Sequence, residues 1–141
     1  KIAKKETRAI TINKTTKSSP LSIPPGEYLF LESYCTALDN CKRVFLNVIY
    51  KGEVESLRGK ILTTIGYGWE NVEYYEKDWK SIIEDGLITA EQMKGPTLEV
   101  GQYQSKYAST LLKFAKKYLL TDDKYLERLE KHSKMVDQKL Q

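Results

Sequence analysis

Two cysteines, Cys35 and Cys41, and one histidine, His132, are the only thiols and the only imidazole in the chain. Thiolates on a hairpin loop hold zinc well, because the turn brings both sulfurs to one side of a tetrahedron. Five residues separate this pair, against roughly two to four in most structural zinc sites. A full donor set would have to draw in His132, Asp39 or a second chain. Free cysteines are among the most buried residue types, so two buried or half-buried thiols with no cofactor are expected. A zinc site on Cys35 and Cys41, or a disulfide between them, are the alternatives. Nucleophilic catalysis by a thiol or a serine needs a base held by an orienting group. His132 follows Tyr125 by seven residues and shares its helix face, where a packed or half-exposed surface side chain is the expectation. No Gly-x-Ser-x-Gly elbow occurs.

The acids sit where structure would place them. Asp122-Asp123 reads as a helix start, Glu84-Asp85 as a helix end, and Glu53 and Glu55 as a hairpin tip. A divalent-metal-dependent hydrolase would need such clustered carboxylates to converge on one cleft, and that reading is kept as an alternative. Gly66-Tyr67-Gly68-Trp69 lacks the third glycine and the Lys-Ser/Thr of a phosphate loop, and glycines at a strand end mark a bulge or close packing instead.

The formal charge of +4 is unevenly spread: +5 over residues 1–20, −5 over 21–103 and +4 over 104–141. Lys4, Lys5 and Arg8 near the start, with Lys113, Lys117, Lys124, Arg128 and Lys131 near the end, make the footprint that a weak nucleic-acid-binding protein would use. Nineteen of the 23 basic residues are lysines, so the bidentate arginine fork that reads guanine is scarce. Glu127–Lys131 and Glu130–Lys134 are the i, i+4 pairs of an ordinary solvated helix, and a solvated face is the expectation.

Gly26-Glu27-Tyr28 leads into Glu32-Ser33-Tyr34-Cys35-Thr36, then Cys41, then Arg43-Val44-Phe45-Leu46-Asn47-Val48. Over about residues 25–50 this resembles an uncharacterised family of bacterial proteins with a Gly-Glu-Tyr strand, a cysteine-containing hairpin and an Arg-Val-rich strand. Relatives carry a Cys-x-Cys pair at the far end of the loop, an arrangement that implies zinc. Here Asp39-Asn40 precede Cys41, which leaves that ligand set incomplete. The resemblance implies no known activity.

Strands followed by helices must position these residues. Residues 1–26 form a basic, Ser/Thr-rich arm ended by Pro24-Pro25-Gly26, where two prolines exclude both helix and internal strand. Alternation over residues 7–13 suits a short edge strand. Three runs follow: Glu27 to Cys35, Val44 to Lys51 and Lys60 to Trp69. Short polar connections join them, which predicts an antiparallel meander of three strands, or four with the arm's edge strand. Both faces of these strands are mostly apolar, so the sheet needs cover on each, from helices or from a second subunit.

Tyr75, Trp79, Ile82 and Ile83 have the spacing of one helix face, stopped at Asp85-Gly86. Thr89 to Gln92 fits a capping box that opens a short helix ended by Gly95-Pro96, and Thr97 to Val100 reads as a short extended piece. Two terminal helices complete an αα-hairpin. The first carries Tyr107, Leu111, Phe114 and Tyr118 as its stripe, flanked by Leu112, Ala115 and Leu119; the second carries Leu126, Leu129, Ser133, Val136 and Leu140. The Thr121 hydroxyl is expected to cap the second helix.

These signals add up to one α+β domain over residues 27–141 behind the 1–26 arm, with a helical middle segment and the terminal hairpin packed on the meander. No apolar run approaches the roughly 18 residues of a membrane span, so no membrane partner is expected. Two cysteines are too few for a disulfide-stapled secreted scaffold, and a cytoplasmic location is the expectation. The first twenty residues lack the apolar stretch of a secretory signal, and the chain opens on Lys1, which leaves an upstream leader open. Few catalytic groups set against much apolar and aromatic surface favour a non-enzymatic interaction or structural module that self-associates.

Overall fold

The computed structural model describes residues 8–12, 23–34 and 42–140. β1 (Arg8–Ile12), β2 (Gly26–Tyr34), β3 (Arg43–Gly52), β4 (Ile61–Gly68) and β5 (Thr97–Leu98) form one antiparallel sheet in sequence order. The α+β class and the meander hold, with five strands in place of three or four. Residues 8–12 of the arm pair with β2, so this part of the arm belongs to the sheet. The added β5 is two residues long and lies within the stretch expected to be extended. β1 and β5 are the two margins of the sheet.

Register puts Tyr28, Phe30, Val44, Leu46, Val48, Tyr50 and Ile65 on one face, hereafter the inner face, and each is fully buried. The register shifts between Val48 and Ile49, leaving Leu62 as the extra residue of β4, itself buried in the core. The double proline is tied to this core: the Tyr28 hydroxyl donates to the Pro24 carbonyl at 2.6 Å and the Tyr50 hydroxyl to that of Pro25 at 2.8 Å.

Two helices cover the inner face. α4 (Ala108–Phe114) runs directly into a π-helical turn (Ala115–Leu119), and α5 (Asp123–Leu140) follows. Leu111, Phe114, Ala115 and Leu119 join Tyr125 and Leu129 of α5 in the main core. The expected stripe is corrected at its end: Tyr118 is 48% exposed while Ala115 and Leu119 are fully buried. The cause is the wide turn closed by the Leu120 N–H on the Ala115 carbonyl, which lets one extra residue pass before the face returns to the sheet. The cap of α5 is also corrected. The Thr121 hydroxyl donates back to the Lys117 carbonyl, and Asp122 accepts from the Lys124 and Tyr125 amides instead.

A second, smaller core forms from α1 (Val72–Asp78), α2 (Lys80–Glu84) and α3 (Ala90–Lys94), centred on Tyr75, Ala90 and Met93. The single helix expected around Tyr75 to Ile83 is broken at Trp79, whose φ of −116° and ψ of 24° leave helical geometry. The capping box of Thr89 and Gln92 is formed in both directions. No helix among the described residues is long and apolar enough to cross a membrane.

Candidate functional site

The opposite, outer face of the sheet carries the alternate residues of the same strands. Ala9, Leu29, Ile49 and Ile61 lie side by side across four strands, and Leu31, Asn47 and Thr64 form the next row. Leu29, Leu31, Phe45 and Ile49 are half-buried and Ile61 is 46% exposed. None of these five belongs to either core among the described residues. Among the described residues, cover over this face is therefore partial, where the sequence pattern asked for cover on both sides.

The covered part is the end where Arg43 opposes Gly68. A side chain on Gly68 would collide with the Tyr75 ring, and one on Gly66 with Glu99 and Arg43, so both glycines are what lets α1 and the segment after β5 lie down on the strands. Arg43 is buried there. Its Nε donates to the Met93 carbonyl at 2.7 Å, its Nη2 to Glu99 Oε1 at 2.9 Å, and its guanidinium lies 5.2 Å from the centre of the Phe45 ring. The Tyr75 hydroxyl donates to the Lys42 carbonyl at 2.8 Å, fixing α1 to the start of β3.

Between the covered end and the open row lies a shallow groove of about 260 Å³, lined by Ser33, Phe45, Asn47, Thr64, Glu99 and Gln102. Three of its polar side chains bond to one another: the Thr64 hydroxyl donates to Asn47 Oδ1 at 2.9 Å, and Asn47 Nδ2 donates to the Ser33 hydroxyl at 3.0 Å. Val100 and Tyr103, 50% and 70% exposed, lie on the same loop as Glu99 and Gln102. The surface as a whole is an apolar row with a self-satisfied polar strip beside it.

The inner face holds a different feature, a buried polar cluster between β2 and α5. Glu32 Oε1 accepts from the Tyr34 hydroxyl at 2.9 Å and lies 3.4 Å from His132 Nδ1. Its second oxygen, Oε2, is buried without a hydrogen-bond partner among the described residues. Burial pushes the Glu32 carboxyl above the usual carboxylate range, against the opposing pull of Tyr34, His132 and Arg128. Burial also pushes the Tyr34 hydroxyl up, and the Glu32 carboxylate adds to that. Sequence reading places His132 on the same helix face as Tyr125, a face the structure buries, but misses Glu32. The available signal was a carboxylate at an inner-face register position, between Phe30 and Tyr34.

Cys35, Cys41, Lys4 and Lys5 lie outside the described residues. Arg8 opens β1. Lys113, Lys117, Lys124 and Lys131 are exposed, while Arg128 is half-buried, with its guanidinium 5.6 Å from the Tyr125 ring centre. The one arginine of that basic set on the terminal helices is thus drawn toward the interior. Asp122 is engaged in capping α5, Glu84 lies 3.9 Å from Lys80, and Glu53 and Glu55 are exposed in the β3–β4 turn. Among the described residues, no group of three or more His, Cys, Asp or Glu side chains is placed to hold a metal ion. Comparison with protein-family models, with curated proteins and with solved structures returns no match.

Proposed function

We propose that this chain is a non-enzymatic interaction module that self-associates face to face through the outer surface of its sheet. The observation that carries this reading is the outer-face set Leu29, Leu31, Phe45, Ile49 and Ile61, apolar, spread over three successive rows and outside both cores of the described residues. Burying one aliphatic side chain fully is worth about 1.5–3 kcal/mol, so even partial burial of such a row favours a partner. A second copy fits because paired sheets bury rows of this kind by stacking about 10 Å apart. Glu27 and Lys51 oppose each other at the rim, so each copy brings one charge of either sign. Asn47, Ser33 and Thr64 bond among themselves, which lowers the cost of excluding water over them. A reducing, cytoplasmic compartment suits Cys35 and Cys41 as free thiols.

Sedimentation velocity over a range of concentrations tests the proposal on the wild type and on the single variants Ile61→Lys and Leu29→Lys. The wild type is expected to dimerise, and each variant to stay monomeric with an unchanged far-ultraviolet circular dichroism spectrum. A wild type that remains monomeric at millimolar concentration, or folded variants that associate as it does, would overturn it.

A further inference from the structure

α4 and the π-helical turn after it pack on the inner face through Leu111, Phe114, Ala115 and Leu119, and the rest of their circumference faces away from the sheet. Between Glu99 and Asp122 the sequence has four lysines, Lys106, Lys113, Lys116 and Lys117, and no acidic residue. All four are exposed. Lys116 and Lys117 follow Lys113 at the spacings that bring side chains together on a helix surface, where like charges repel. Among the described residues, none of the four lies within ion-pair distance of a carboxylate. α5 is built differently, since Lys131 and Lys134 each follow a glutamate by four residues. A solvated face interleaves its charges in that way, whereas the α4 face concentrates one sign.

The turn adds an aromatic ring to this surface. An unbroken α-helix would carry Tyr118, four residues after the buried Phe114, to the sheet side. The π-helical turn gives that place to Leu119 and leaves Tyr118 48% exposed. Its ring centre lies 6.0 Å from that of Phe114, and Lys117 Nζ lies 5.3 Å from it. A ring open to water beside clustered lysines is the combination that holds single strands, with charge tracking the backbone and the ring offering a base a flat surface.

We propose that the exposed side of α4 and its π-helical turn binds single-stranded nucleic acid without sequence preference, Lys113, Lys116 and Lys117 meeting backbone phosphates and Tyr118 stacking on a base. Stacking on Tyr118 needs an unpaired base, which favours a single strand over a duplex. Arg128 is half-buried against Tyr125, so the terminal helices present lysine point charges and no exposed guanidinium fork for reading base edges. A membrane surface fits less well, because a helix that lies in lipid sinks its apolar side, and that of α4 is already spent on the core.

Fluorescence anisotropy of a labelled oligothymidylate of about 15 nucleotides, titrated with the full chain at several salt concentrations, tests the proposal. Three phosphate contacts give a slope of log affinity against log salt of about −2 on a single strand. Lys113→Gln/Lys117→Gln should reduce that slope to about −0.7. The control Lys131→Gln/Lys134→Gln removes the same charge from α5 and should leave the slope unchanged. Tyr118→Ala should weaken binding at least about fivefold at every salt concentration, and Tyr118→Phe should restore most of it. The substituted side chains are exposed, and an unchanged circular dichroism spectrum verifies the fold of each variant. No binding at the lowest salt, an equal loss of slope in the two double variants, or a Tyr118→Ala variant that binds as the wild type does would overturn the proposal. Tighter binding to phosphatidylserine vesicles than to the oligonucleotide would do the same in favour of a membrane. α4 covers the inner face, so these outcomes are independent of association through the outer one.

Discussion

Replacing Arg43 by Met keeps most of the stem's volume and removes the charge that holds the covered end of the outer face. Arg43 and Glu99 expose 5% and 13% of their side chains, so the deletion strands Glu99 in a largely dry setting. Removing one partner of a buried ion pair costs about 3–5 kcal/mol. The residual exposure of Glu99 lets water reach it, which favours the lower end, about 3 kcal/mol, including roughly 1 kcal/mol for the bond lost at the Met93 carbonyl. Glu99→Leu strands the more deeply buried Arg43 and should cost slightly more, about 4 kcal/mol. The double variant Arg43→Met/Glu99→Leu leaves no stranded charge and should lie within about 2 kcal/mol of the wild type. Urea denaturation at one low protein concentration, with the slope m checked for constancy, gives all four stabilities. If the two single losses add to the double within about 0.5 kcal/mol, the pair is not coupled and the account of how this end is held fails.

Asp122→Ala should lower stability by about 1 kcal/mol through loss of the α5 cap, and Thr121→Ala by no more than about 0.5 kcal/mol; thermal melts that reverse this order would contradict the cap assigned to Asp122. Burial holds the hydroxyls of Tyr28 and Tyr34 above the ordinary phenol value of 10.0. The stability this gives is complete below that value and is lost as pH rises through the folded-state values. In an alkaline titration followed by ultraviolet absorbance, these two of the ten tyrosines should ionise only as the chain unfolds. Ten phenols ionising together in a chain still folded by circular dichroism would be the contrary result.

Local pattern carried the strands and most helix ends. Period-two alternation located β2, β3 and β4, and the reciprocal bonds of Thr89 and Gln92 form as their spacing required. What stayed hidden was set by geometry that a linear pattern does not encode. The π-helical turn after Phe114 exchanges Tyr118 for Leu119 on the buried face, although both fit an apolar helix. Two adjacent residues competed to cap α5, and Asp122 prevailed while the Thr121 hydroxyl satisfied a carbonyl of the preceding turn. The apolar outer row was legible from the strands alone. Its partial cover among the described residues was not, because α1 and α3 meet the strands at the Gly66–Gly68 end, and that depends on close approach to two glycines. Glu32 and His132 were each visible, yet nothing local joins residues so far apart in the chain.

The two sides of the sheet differ in their capacity to accept more strands. At β5 the ladder is only two residues long, and beyond it the chain turns back onto β4 through the Glu99 and Ser105 amides, which bond the Thr64 and Leu62 carbonyls. β1 is five residues long and has one neighbour among the described strands. Among the described residues, lateral growth is thus available on a single flank. Two molecules that zipped together along β1 would give a ten-stranded ribbon with no comparable flank left, so strand addition would end in a closed pair and could not propagate into a fibril.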